Sequence, residues 1–319
     1  MQTHNTLTIV CLVAASLMAG VPVVCAQPGA RPPDTDQTVP APRGSRLVID
    51  NFAGEVIVRG WDRDSLRVQA RHPSRTRVAV RAVPTGFRVS ASNERGPQGS
   101  VDYDINAPNW MPIRVDGQFN YVTIEGTQAE VSVDTNRGDI VIKGGNGVTV
   151  KSTEGNVTVE NASGKITLSS VNQGISISRA SGDIVAETVN GPIVLSDMRA
   201  SSVEAGTING NIAYEGTVAN DGRYRLTSHN GSITVAVPES SNATFAVRTY
   251  NGSFNSNLPV KGEGDVRDVQ RGRRAIFILG TGSAEFELES FSGGIRLRKP
   301  GTSAATSKGK DKDKEKQPE

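Results

Sequence analysis

The carboxylates with the most suggestive spacing are Asp183, Glu187 and Glu204. If the chain coils, Glu187 with Glu204, or Asp183 with Glu204, would lie about one coil apart. Two convergent carboxylates are the working groups of most glycoside hydrolases, one as acid and the other as base or nucleophile. Neither pair has the clustered Asp, His, Arg or Lys that such sites usually add. A solvated strand face is therefore the preferred reading, and a polysaccharide lyase or hydrolase the alternative. Calcium-binding nonapeptide repeats need Gly-Gly-x-Gly-x-Asp in successive turns. Here the turn acids are only Asp139 and Asp183, with Asn156, Lys165 and Pro192 at the matching places. The histidines, His4, His72 and His229, are isolated from one another, which does not suit a zinc site. No metal and no cofactor are expected. Cys11 and Cys25 are the only cysteines. Both fall in the first 26 residues, so the chain beyond them has no disulfide, thiolate ligand or cysteine nucleophile.

One basic set stands out. Arg67, Arg71, Arg77, Arg81 and Arg88 alternate with apolar residues, which predicts a shared outer face on the first sheet. Arg59, Arg63 and Arg75 lie nearby in sequence. Such a face reads first as solvated arginines that discourage edge pairing. Its functional reading is a patch for an anionic envelope polysaccharide, gripped by bidentate contacts. The net charge of +2 gives no general attraction to nucleic acid, and none is expected as a partner.

These side chains are carried on a repeat. From Ala162 to Leu195 the sequence reads Ala162-x-Gly164-x-Ile166-x-Leu168, Val171-x-Gln173-x-Ile175-x-Ile177, Ala180-x-Gly182-x-Ile184-x-Ala186 and Val189-x-Gly191-x-Ile193-x-Leu195. Apolar residues spaced by two share one face of a strand, so each nonamer is a short strand plus a tight turn. Two nonamers make a coil of about eighteen residues. Ordering a coil costs on the order of 1–2 kcal/mol per residue. A single coil buries too few apolar side chains to offset that, and stacking must supply the rest. Gly138 and Gly155 mark earlier turns. Asn190-Gly191, Asn209-Gly210, Asn230-Gly231 and Asn251-Gly252 mark later ones, 19 to 21 residues apart. Asn-Gly predicts left-handed backbone, and the stacked amides could bond along the axis.

The expected organisation follows. Residues 1–26 read as a signal peptide, apolar from Leu7 to Val24 and ending Val24-Cys25-Ala26 before Gln27. Residues 27–44, rich in Pro, read as a disordered linker. Residues 45–298 read as one all-β domain: N-terminal, antiparallel strands over 45–121, then an elongated β-solenoid, or β-helix-like repeat, over 122–298. Within it, Asp102 to Val115 with Pro108 and Pro112 reads as an extended crossing segment, and Ala275 to Leu297 as two or three closing strands. Residues 299–319 alternate Lys with Asp or Glu and read as a disordered tail. No transmembrane segment is expected after signal cleavage.

The run Asp102-Tyr-Asp-Ile-Asn-Ala-Pro108-x-x-x-Pro112-Ile-x-Val115 resembles a recurring feature of the bacterial "putative adhesin" family, a domain of unknown function. The Gly-Asp-Ile, Asn-Gly-Asn-Ile and Asn-Gly-Ser-Ile turns resemble it too, as does the ending Phe291-Ser-Gly293-Gly-Ile295-Arg-Leu297. The resemblance covers about 46–298 and rests on turn chemistry. It implies an extracytoplasmic β-repeat protein and brings no catalytic residues with it. The functional expectation is a non-enzymatic exported protein, secreted to the periplasm or cell surface, with an adhesive or envelope-structural role. Its partner would be an anionic envelope polysaccharide or another surface protein.

Overall fold

Strand alternation sets the architecture. In the computed structural model, which describes residues 32–301 except 94–95, 97–98, 263–268 and 270–271, the regular elements are twenty-four strands. The expected signal peptide and the tail beyond Gly301 lie outside the described residues. Among those residues no helix is long and apolar enough to cross a membrane.

The N-terminal strands are β1 (Thr35–Pro40), β2 (Arg46–Trp61), β3 (Ser65–Arg71), β4 (Thr76–Val83), β5 (Gly86–Asn93), β6 (Asp102–Pro108) and β7 (Ile113–Thr127). β2 pairs in parallel with β7 along nearly its whole length, Leu47 opposite Ile113 and Arg59 opposite Glu125. Leu47, Ile49, Val56 and Val58 are fully buried. β2 is therefore already a complete coil, and the solenoid begins at Arg46 rather than at Val122. Asn51-Phe-Ala-Gly54, which reads as a break between two strands, is the bend within that coil. The prolines do not turn Asp102–Val115 into a bare crossing. Pro108 ends β6, and Pro112 precedes β7 while its carbonyl accepts from the Leu47 amide at 2.9 Å. The antiparallel part is confined to the outer end: β3 on β6, β1 on β3, and β4 on β5. Thr35–Pro40, expected as linker, forms the edge strand β1, where a terminal proline breaks no ladder.

Beyond β7 each coil lays one strand on each of two walls. These are β8 (Val131–Arg137) with β9 (Ile140–Gly144), β10 (Asn146–Glu154) with β11 (Val157–Glu160), and β12 (Ser163–Asn172) with β13 (Ile175–Ser178). β14 (Ser181–Asn190) leads into β15 (Ile193–Asn209), which serves two successive coils. β16 (Ile212–Gly216), β17 (Arg223–Asn230) and β18 (Ile233–Ala236) follow. Pairing between coils is parallel and in register, with Ile166 opposite Ile184 and Ile175 opposite Ile193. The inward Val, Ile and Leu side chains join into one hydrophobic core, each worth about 1.5–3 kcal/mol when buried.

The last strands are β19 (Ala243–Thr249), β20 (Phe254–Ser256), β21 (Lys261–Gly262), β22 (Ala275–Leu279), β23 (Ala284–Ser292) and β24 (Ile295–Arg298). Their stacking order departs from chain order. β23 pairs with β17 on one side and β19 on the other, and β24 lies between β18 and β20. The C-terminal coil is thus inserted beneath the one that precedes it. Only β22, antiparallel on β19, acts as the closing strand foreseen for this region.

The nonamer also conflates two different bends. Ala162 and Ala180, at one, are buried, while Val171 and Val189, at the other, are exposed. The second bend carries a glycine stack. A Cβ on Gly155 would lie 2.1 Å from the Gly138 carbonyl oxygen, and one on Gly210 or Gly231 only 1.9 Å from the glycine carbonyl one coil back. Gly252 and Gly293 are packed the same way. Gly138, Gly155, Gly164, Gly182 and Gly191 have positive φ, but Gly210, Gly231, Gly252 and Gly293 do not, nor do Asn190, Asn209, Asn230 and Asn251. Close approach of stacked backbones, rather than left-handed conformation, requires glycine in the later coils.

Candidate functional site

The residue three places before each stacked glycine is a buried hydroxyl: Thr188, Thr207, Ser228, Ser290 and Thr249. Each donates to a carbonyl of the preceding bend, for example Ser228 Oγ to Gly210 O at 2.9 Å and Ser290 Oγ to Gly231 O at 2.9 Å. With the hydroxyl turned inward, the next residue must point out. That outward position is Asn136, Thr153, Val171, Val189, Ile208, His229, Phe291 and Tyr250 in stacking order. Of these eight it is polar in the first two and apolar or aromatic in the last six; further back the same position holds Gln118 and, in the β2 coil, the exposed Phe52. Ile208 is 49% exposed and Phe291 43%.

This stripe borders an open groove of about 710 Å³. Its other margin is the outward position two residues earlier on the wall, occupied by Ser169, Glu187, Gly206, Thr227 and Glu289. The His229 ring stacks on Phe291 with centroids 4.7 Å apart and planes within 3°. Rings stacked between neighbouring coils cover each other's faces and turn their edges outward. Glu289 accepts from Arg248 at 2.7 Å, and this bond is the main reason the Arg248 guanidinium is held above its ordinary pKa. Glu187 has no cationic partner among the described residues.

Along the same bend, past the stripe, runs an amide ladder. Asn190 donates to Asn172 at 2.9 Å, Asn209 to Asn190 at 2.8 Å and Asn230 to Asn209 at 2.8 Å. Asn251 is not part of it, because β23 places Ser292 next to Asn230. Two coils before Asn172 the same position holds Arg137, bonded to Glu154 at 2.6 Å. That hydrogen bond is the first cause of the lowered Glu154 pKa.

Residues 113–298, from the first residue of β7 to the last of β24, match the family model described as Toastrack DUF4097. The chain belongs to that family. Two solved structures are similar to this Toastrack chain. One is a "putative cell adhesion protein" from Clostridium sporogenes ATCC 15579, 12% identical, covering 84% of this chain and 100% of its own, with a TM-score of 0.26. The other is a "putative adhesin" from Bacteroides fragilis NCTC 9343, 13% identical, covering 84% and 100%, with a TM-score of 0.38. No curated protein matches the chain in sequence.

The Toastrack register sets Glu204 opposite Val185, diagonal to both Asp183 and Glu187 on the neighbouring strand. Glu187 lines the apolar groove, whereas Glu204 lines a different depression beside Arg223, Arg225 and Glu287. Asp183 lines neither. Asp139 serves the turn, accepting the Asn156 amide at 2.7 Å.

The arginines do not form one face. Arg67 and Arg71 sit on β3, over the second wall. Arg77 and Arg81 on β4 and Arg88 on β5 extend the first wall. Arg67 is held bidentately by Asp36 at 2.7 and 3.0 Å, and Arg88 lies 3.3 Å from Asp50. The Arg67 hydrogen bond is also what chiefly lowers the Asp36 pKa. The alternation that suggested a shared face repeats on β3, which pairs with neither β4 nor β5, whereas β4 and β5 pair with each other and set Arg81 opposite Arg88. Reading the Ser/Thr-x-Asn-Gly motif for the residue at x would have found the apolar stripe instead.

Proposed function

We propose that this protein is an exported, non-enzymatic binding protein of the bacterial cell envelope, adhesive or envelope-organising in role, whose ligand lies along the Val171–Tyr250 stripe. One observation carries this reading. The stripe position accommodates Asn136 and Thr153 in the same stacked register, so the fold does not require apolar side chains there. Six consecutive coils nevertheless expose Val171, Val189, Ile208, His229, Phe291 and Tyr250. Single exposed apolar residues are ordinary, but contiguous ones mark interaction surfaces. The groove is open along its length and gathers no pair of the candidate acids, which favours holding a ligand over cleaving one. Export is supported by the apolar Leu7–Val24 segment.

The test is co-sedimentation of the full chain with purified bacterial envelopes, against a Val189→Asp/Ile208→Asp variant. Both side chains are exposed, so the variant should fold and melt as the parent does. Its retention should fall by about tenfold if the stripe is the contact. Equal retention would reject the reading. Mass spectrometry of the protein from its native host should find Gln27 at the N-terminus; retention of Met1 would replace a secreted protein by an anchored one.

A further inference from the structure

Gly206 is the anomalous glycine of the molecule. It lies inside β15, where glycine weakens a strand through lost conformational entropy and a missing side chain. The bend glycines have a reason to be glycine, since a Cβ there would collide with a carbonyl at about 2 Å. At Gly206 a Cβ would meet nothing within 4 Å, and φ is not positive. Neither backbone conformation nor internal packing asks for glycine. What its absence of a side chain does is open a notch in the outward row, between Glu187 on one coil and Thr227 on the next. Val189 and Ile208 stand along its side.

We infer that this notch is the anchor pocket of the groove and takes a basic side chain from an extended polypeptide segment of a partner protein. The inference rests on the stripe being the ligand-facing surface. Charge complementarity selects the side chain: of the two groove carboxylates, Glu289 is already held by Arg248, and Glu187 at the notch is not. The apolar wall suits the aliphatic stem of Lys or Arg, with the charged head reaching Glu187. Side-chain contacts must hold the segment, because the strand edges here are already used in pairing between coils. A sugar ring would prefer an aromatic face, whereas His229 and Phe291 present edges. Same-face side chains of an extended chain recur about every 6.6–6.8 Å, and stacked strands about every 4.8 Å. With the basic residue at Gly206, its neighbours two residues away fall near Val189 and Val171 on one side and near His229 and Phe291 on the other. The partner segment is therefore apolar, any, basic, any, apolar.

The probe is a short fluorescein-labelled peptide alternating valine, threonine and a central lysine, titrated by anisotropy against the full chain. The controls are the same peptide with glutamate for lysine, and a labelled cello-oligosaccharide. Gly206→Thr adds a β-branched side chain into open space, so its melting temperature should equal or exceed the parent's. It should nevertheless lose about tenfold or more in affinity for the lysine peptide. Glu187→Gln should lose roughly two- to fivefold, as expected for an exposed pair, and more at low salt than at high. The proposal is overturned if the lysine and glutamate peptides bind alike, if neither binds, or if a stably folded Gly206→Thr binds as the parent does. Gly206-dependent binding of the oligosaccharide alone would also overturn it, while leaving the stripe as a binding surface. Failure of the Val189→Asp/Ile208→Asp test would instead remove that surface altogether.

Discussion

Asn230 donates from Nδ2 to Asn209 Oδ1 at 2.8 Å, and there the amide ladder ends. It ends because the next coil in space is not the next coil in sequence: Asn230 faces Ser292, and Asn251 lies one coil beyond. Asn209 both donates and accepts within the ladder, so Asn209→Ala removes two hydrogen bonds. At an exposed site these should together be worth about 1 kcal/mol. Asn251→Ala should change stability by less than about 0.5 kcal/mol, the ordinary range of a surface substitution. Urea unfolding of the two variants checks the stacking order directly, and equal losses would contradict it.

The glycine stack gives opposite signs at two positions. Gly231→Val would force a Cβ to 1.9 Å from the Gly210 carbonyl oxygen, and should cost about 3 kcal/mol or more. Gln173 occupies the same stack without being glycine and is held at φ 141°. Conformations of that kind cost about 1–3 kcal/mol in a residue with a side chain. Gln173→Gly should therefore raise the denaturation midpoint. A fall would show that the glutamine side chain is needed where it stands.

The buried hydroxyls divide in the same way. Ser228 Oγ donates to Gly210 O from a buried position, and Ser228→Ala removes that bond, costing about 1 kcal/mol. Ser170 is also buried, but its Oγ has no partner among the described residues. Ser170→Ala should be neutral or stabilising. Thermal unfolding of the pair separates a hydrogen-bonding ladder from simple space filling.

Much of this architecture was legible because strand periodicity is local. Ile166, Leu168, Ile175 and Ile177 announce a coil by spacing alone, and all four are buried. The coil formed by β2 was less visible, because Asn51-Phe-Ala-Gly54 has the composition of a hairpin turn. The inserted β23–β24 coil was not visible at all. Its inward Phe286, Leu288, Ile295 and Leu297 would fit against any neighbouring coil. Only the long-range pairing to β17 and β18 decides where it goes. The stripe was obscured for a different reason. Ser228 and Thr207 are polar and buried, while Ile208 and Phe291 are apolar and exposed, so hydropathy inverts the sides at this edge.

Alkaline pH should expose the tyrosines. Tyr103 and Tyr214 are almost fully buried, and burial is the first cause of their strongly raised pKa values. Burial also raises that of Tyr224. An unfolded tyrosine ionises near pH 10. A folded pKa above that value means the native state keeps its proton where the unfolded state loses it. The associated stability is complete below about pH 10 and is lost as pH rises from there toward the folded pKa. Within that window each such tyrosine contributes a slope of about 1.4 kcal/mol per pH unit. Tyr103 is the cleanest to test, because its hydroxyl has no partner among the described residues. Tyr103→Phe should lose nothing at neutral pH, and its stability should fall less steeply above pH 10 by one tyrosine's share. Tyr224→Phe differs, since Tyr224 donates to Ala200 O at 2.9 Å and accepts from the Ala219 amide at 3.0 Å. It should cost about 1–2 kcal/mol at neutral pH as well. Urea unfolding from pH 7 into the alkaline range, followed alongside tyrosinate absorbance, makes the comparison. Parallel pH profiles for the parent and Tyr103→Phe would mean that Tyr103 ionises as readily in the folded chain as in the unfolded one.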